Sequence, residues 1–155
     1  QNFKTMSTEV SPSMILKLAV TEKERLHVIN LLEQQKLPVT DIKEDTLLYL
    51  LLDGDNAMGT VGLDIFNDCA LLRSVSIVQD ARGRGYGKIL NGQIEKFAKE
   101  SGINCMYLIT HTAKDFFDHQ GYCVIDRTTA PEAIKQTEQF TALCPSSAVV
   151  MKKRL

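Results

Sequence analysis

The stretch Arg82-Gly83-Arg84-Gly85-Tyr86-Gly87 constrains this chain more than any other. Three glycines alternate with charged or aromatic residues. An apolar run over residues 75–78 leads in, and an amphipathic helical pattern over residues 88–101 leads out. A strand, a glycine-rich loop and a helix start together make a cradle for a phosphate-bearing ligand. Glycines let backbone N–H groups approach the anion, and the helix N-terminus adds its partial positive charge.

The flanking pattern predicts the rest of the fold. Residues 14–20 read as a first strand. Thr21-Glu22-Lys23-Glu24 fits a capping box, with Thr21 as N-cap and Glu24 at the third helical position. Leu26, Ile29 and Leu32 suggest the inner face of a helix running to about Lys36, and Pro38 stops it. Residues 46–53, 57–66 and 69–78 read as an antiparallel meander, turned at Gly54-Asp55-Asn56 and Asn67-Asp68. After the loop, Leu90, Ile94 and Phe97 mark a helix face, closed at Gly102. A strand over 105–110, a short helix over 113–120, a strand over 122–126, one or two helical turns opened by Pro131 and a last strand over 148–152 follow. The expected class is α/β: one domain over residues 1–155, with a mixed, mostly antiparallel central sheet flanked by helices. Residues 1–12 are polar and weakly patterned, and Gln1 is not an initiator residue. They read as a disordered or expression-derived lead, with a start at Met6.

Composition limits the partners. The net charge of −1 gives no global electrostatic case for nucleic acid or a membrane surface, and no apolar run approaches the roughly 20 residues of a spanning helix. Cys69, Cys105, Cys123 and Cys144 are widely spaced without a CxxC pair, so no metal site is expected. Reduced core thiols, and hence a cytoplasmic protein, are the simplest reading of them.

Spacing separates the possible phosphate ligands. A P-loop needs GxxxxGK followed by Ser or Thr, but Gly87-Lys88 is followed by Ile89. A dinucleotide fingerprint needs GxGxxG after a first strand, and the glycines here follow a meander with the wrong spacing. The remaining pattern, R-x-x-G-x-G, is met by Arg82, Gly85 and Gly87. It resembles the coenzyme A pyrophosphate loop of the GNAT acetyltransferases, and the element order over most of residues 14–155 resembles that family's core.

The resemblance implies roles residue by residue. Main-chain groups near Val75 and Ile77 would pair with the pantetheine arm as an added strand. N–H groups of Arg82, Gly83, Arg84, Gly85, Tyr86 and Gly87 would hold the pyrophosphate, with Arg82 and Lys88 adding charge. Gln79 stands where the family usually has proline. Acetyl-CoA would be the cosubstrate and a primary amine the acceptor. Many members place a proton-donating Tyr in an A-x-x-F-Y run. Here Ala113-Lys114-Asp115-Phe116-Phe117 puts Phe117 there, which carries no proton and is read as packing against the pantetheine.

Acceptor and proton-transfer residues are more open. His111, after Thr110 at the strand end, is either a relay near neutral pH or a solvated loop histidine. Asp64, between Leu63 and Ile65, lies on the solvent face or lines a cavity. Asp41 either holds the substrate ammonium or is a helix-exit aspartate. Arg73 would clamp an anionic group of the acceptor, or pair internally with Asp64 or another acid, because a guanidinium is costly to bury alone.

A narrower resemblance is carried by Leu37-Pro38 with Asp41, Val61-Gly62-Leu63, Leu71-Leu72-Arg73-Ser74, Tyr107-Leu108-Ile109-Thr110, Asp126-Arg127, Ala130-Pro131 and Leu143-Cys144-Pro145-Ser146-Ser147-Ala148. These look like the arsenic-operon N-acetyltransferases, which implies α-amine acetylation of small amino-acid toxins such as arsinothricin and phosphinothricin. Asp64 and His111 stand where that group more often has Glu. Cys144 and Ser147 would shape the acceptor cavity, and a homodimer follows by analogy. The alternatives are a polyamine or a peptide N-terminus as acceptor, with Arg73 arguing against a polyamine, or a CoA-binding module without catalysis.

Overall fold

The computed structural model describes residues 14–141 and 148–155. Cys144 and Ser147 therefore lie outside the described residues. Seven strands form one sheet: β1 (Met14–Leu18), β2 (Leu47–Asp53), β3 (Asn56–Phe66), β4 (Cys69–Ile77), β5 (Cys105–Thr110), β6 (Cys123–Ile125) and β7 (Val149–Arg154). Their spatial order is β1-β2-β3-β4-β5-β7-β6. Only the β4–β5 pair among them is parallel, which matches the expected mixed, mostly antiparallel sheet.

Two helical layers cover the sheet. Alternation along β2 sends Tyr49 and Leu51 to one face and Leu48 and Leu50 to the other. On the first face lie α2 (Tyr86–Glu100) and α3 (Lys114–His119), packed through Leu90, Ile94 and Phe117. On the second lie α1 (Glu22–Gln34), α4 (Glu132–Lys135) and α5 (Glu138–Thr141). Leu90 and Ile94 are essentially inaccessible, and each contributes about 1.5–3 kcal/mol through removal from water.

Local chemistry sets the ends of α1. Both halves of the capping box form: Glu24 N–H donates to Thr21 Oγ1 (3.1 Å), and Thr21 N–H donates to Glu24 Oε1 (3.0 Å). The Thr21 N–H bond, then Lys17 at 2.9 Å, hold the Glu24 carboxyl at about 2. This contribution is complete above the ordinary carboxylate range and is lost as pH falls toward 2.

Two helix faces differ from expectation. On α1, Val28 and Leu32 are buried while Leu26 is exposed, because an i, i+4 stripe through Val28 and Leu32 faces β2. On α2, Phe97 is partly exposed and stacks on Tyr49 at 5.9 Å; the inner face is Leu90, Ile94 and Ala98. α2 also starts at Tyr86 rather than Lys88, since Gly85 serves as its N-cap. The thiols are less buried than a core reading requires. Cys123 is exposed on the edge strand β6, and Cys69 and Cys105 are half-buried.

One irregularity positions the site. Between the pairs Thr60↔Ser76 and Gly62↔Arg73, β4 carries one more residue than β3. Ser74 absorbs the bulge at φ 57°. Buried Thr60 secures it, donating to the Ser74 carbonyl at 2.8 Å and lying 2.6 Å from Ser76 Oγ. The extra residue reverses the alternation. Leu71 and Arg73 face the α1 side, whereas Val75 and Ile77 pack on the α2 side.

Beside the bulge, a Cβ on Gly59 would lie 2.6 Å from the Ser76 carbonyl oxygen, closer than real contacts allow. Gly59→Ala should therefore destabilise the domain by about 1–3 kcal/mol, read as a lower denaturant midpoint. An unchanged midpoint would mean that β4 yields there.

Candidate active site

β4 and β5 pair only from Cys69↔Cys105 to Leu72↔Leu108. Beyond that rung the strands separate, and a groove of about 550 Å³ opens between them. Its walls are the edge of β4 from Arg73 to Ile77, which pairs with no other described strand on this side, the end of β5 at Ile109 and Thr110, His111, and Phe116 and Phe117 of α3. Arg82 and Gly87 stand at one end. The expected groups Val75, Ile77, Arg82, Gly87, Phe117, Thr110, His111 and Arg73 are thus brought to one groove.

The loop end suits an anion. Gly83 (φ 77°) and Gly85 (φ 82°) adopt the left-handed conformation that admits glycine without strain. No side chain caps α2, so the first N–H groups of a 15-residue helix, from Tyr86 onward, have no side-chain acceptor. The Arg82 guanidinium is steered by the Ile77 carbonyl (3.1 Å from Nε) and by Gln35 Oε1 at the end of α1. Arg84 lies over the Tyr86 ring at 5.3 Å, and the ring itself is buried. Lys88 is exposed and does not line the groove. Gly87 has a second constraint: a Cβ there would meet the Phe116 ring at 3.2 Å.

Aromatic packing fixes the opposite wall. Phe117 meets Phe116 edge-on at 5.0 Å and Tyr122 at 5.5 Å. Tyr122 does not replace the missing phenol. It lies outside the groove, and burial, with Glu95 alongside, raises its hydroxyl far above the ordinary value. The Thr110 hydroxyl accepts from Ala113 N–H at 2.9 Å and so shapes the turn into α3. His111 is exposed at the groove rim.

The bulge directs Arg73 into a buried charge cluster. Its side chain is 1 % exposed, and Asp41 grips it bidentately at 2.5 and 2.7 Å. Asp64 lies 3.2 Å from Nη1, and Nε donates to Ser74 Oγ at 3.1 Å. Burial opposes the charge on Arg73, but the hydrogen bond and charge of Asp41, with Asp64, outweigh it and raise its pKa. Asp64 also accepts from Thr46 Oγ1 at 2.6 Å, so both of its oxygens are engaged. The cluster separates the groove from a second cavity of about 370 Å³, whose walls include Asp41, Asp45, Asp64, Glu138 and Lys43. Gln139 lines the groove and reaches Asp41 at 3.4 Å.

Sequence reasoning placed Arg73, Asp41 and Asp64 near the acceptor but did not foresee the bidentate Arg73–Asp41 pair. It also missed Ser74, Thr60, Gln139 and the acidic second cavity. The one signal in the chain is a charged residue, Arg73, in phase with the apolar Val75 and Ile77.

An anion cradle beside a strand edge left unpaired among the described residues, with an apolar wall, can hold a long, phosphate-bearing ligand. The family model "Acetyltransferase (GNAT) family" matches residues 15–122. The chain belongs to that family.

Solved structures share the fold. N-acetylglutamate synthase from Neisseria gonorrhoeae, complexed with coenzyme A and L-arginine, superposes with a TM-score of 0.76 at 17% identity, over 94% of this chain and 34% of that one. A GNAT-family acetyltransferase from Staphylococcus aureus gives a TM-score of 0.65 at 17% identity, covering 91% of this chain and 99% of that one. A 52-residue segment is 36% identical to mouse N-alpha-acetyltransferase 80; it spans 34% of this chain and 17% of that protein.

Removing one partner of a buried ion pair costs about 3–5 kcal/mol, because the other charge is stranded. Asp41→Ala should lose about 3 kcal/mol, at the low end because Asp64 remains, and the double variant with Arg73→Met should lose less than the two single losses added together. A double variant that loses the sum of the two single losses, measured by denaturant unfolding, would refute a coupled pair.

Proposed function

We propose that this chain transfers the acetyl group of acetyl-CoA to the amine of a small, zwitterionic amino-acid-like acceptor. The pyrophosphate would sit on the N–H groups from Arg82 to Gly87. The pantetheine would lie along the β4 edge at Val75 and Ile77, against Phe117. The acceptor's ammonium would first give one proton to water, and the free amine would attack the thioester carbonyl carbon. The C–S bond would then break, and the departing thiolate would take up a proton as the new amide loses one. Phe117 brings no proton to this step. His111, on the rim beside Thr110, is the group proposed to relay it. Asp64, already bound to Thr46 and Arg73, would act by positioning Arg73.

The observation that carries the acceptor class is the buried Arg73–Asp41 pair, with Arg73 on the groove wall and Asp41 lining the cavity beyond it. An α-amino acid presents an ammonium and an anion a few ångströms apart. Inserted between the two side chains, it would give its ammonium to Asp41 and its carboxylate, phosphinate or arsonate to Arg73. Both buried charges stay compensated, which avoids the usual cost of opening such a pair. The likeness to the arsenic-operon enzymes points to the same class, with Cys144 and Ser147 proposed nearby. A cytoplasmic homodimer belongs to the same reading.

A second reading draws on the acidic cavity. The argument that Arg73 would repel a polyamine does not hold, because two carboxylates already neutralise it. Asp45 and Glu138 would favour a cationic acceptor.

Thiol release from acetyl-CoA across a panel of amines tests both. Turnover with phosphinothricin-like amino acids but not spermidine is expected; the reverse selects the second reading. Tight CoA binding without turnover would leave only a binding module. Arg73→Ala should raise the acceptor KM at least about tenfold while CoA affinity stays within about twofold. Gly85→Glu adds a carboxylate to the cradle and strain at positive φ, and should abolish CoA binding by calorimetry.

A further inference from the structure

We propose that Cys69 and Cys105 form a two-thiol site for a soft, two-coordinate metal ion of the Cu(I) or Ag(I) kind, at the end of the sheet opposite the groove. The two residues are the first rung of the parallel β4–β5 ladder, directly opposite in register. Neighbours in register project from the same face, and both thiols pack into the cluster of Leu71, Tyr107 and Ile134.

Geometry selects the ion. Adjacent strands lie about 4.7–4.9 Å apart, and their paired side chains leave the sheet nearly parallel. A metal–thiolate bond is about 2.3 Å, so a linear S–M–S unit spans nearly that separation. Among the described residues no group of three or more His, Cys, Asp or Glu could hold a metal ion. That leaves a tetrahedral zinc centre without ligands there, whereas paired soft sulfurs suit Cu(I). The site is also reachable. Both thiols are half-buried and line a cavity of about 280 Å³ with Asp68 and Asn104.

Cys69 Sγ donates to the Phe66 carbonyl at 3.4 Å. Burial first, then the nearby Asp68 and Cys105, raise its pKa. The binding step balances without redox chemistry: M⁺ and two S–H groups give a bis-thiolate complex and two H⁺, with no change in oxidation state.

The full chain, reduced, is titrated with Cu(I) against a chromogenic Cu(I) chelator. One equivalent should bind. Cys69→Ser and Cys105→Ser should each weaken the affinity at least about tenfold, as loss of one of two ligands requires, while Cys123→Ser and Cys144→Ser leave it unchanged. Cys69→Ala and Cys105→Ala guard against misfolding by the buried hydroxyl. Cu(I) should also raise the thermal midpoint of the parent but not of these variants. Failure to bind, binding that survives loss of both residues, or a product lighter by two hydrogens from disulfide formation would each overturn the proposal.

Discussion

The end of pairing between β4 and β5 after Leu72 and Leu108 is the constraint on which the rest of the site depends. Continued pairing would close the groove and satisfy the β4 edge from within. The bulge at Ser74 lies just past this point, and Thr60 holds its carbonyl. One inserted residue does two things at once. It leaves Arg73 on the face where Asp41 and Asp64 wait, and it turns Val75 and Ile77 toward α2 and the groove.

Electrostatics divides the neighbourhood. The groove is largely apolar between a cationic loop and the Arg73 wall, while the cavity beyond carries several carboxylates. Arg73, Asp41 and Asp64 together hold one surplus negative charge at that boundary. A buried cluster of this kind is weak as a source of stability but strict about geometry. It ties the loop after α1 to the middle of the sheet through contacts 32 residues apart in sequence.

Much of this was legible in the chain itself. The order of strands and helices followed from periodicity and turn residues, and the Thr21–Glu24 cap formed as its spacing requires. The glycine loop announced its own backbone, because Gly83 and Gly85 sit at positive φ. Other features depend on tertiary contact. Leu26 and Phe97 match helical periodicity but face outward, since the stripe that packs is decided by what lies beneath it. Arg73 could be read as buried, but its partner could not be chosen, because Asp41 and Asp64 arrive on different segments. The bulge left a faint trace, an arginine in phase with two valine-like positions, which alternation alone reads as one unbroken strand.

Gly87 carries a consequence beyond the cradle. Its missing side chain is filled by the Phe116 ring, so loop and α3 share one volume. The two positions are coupled in size: a side chain at residue 87 requires the Phe116 ring to give way by a few tenths of an ångström. Because Phe116 packs on Phe117, such a change would also reshape the far wall. The cradle and the wall that faces it are therefore coupled through one packing contact, although a helix and a strand separate them in the chain.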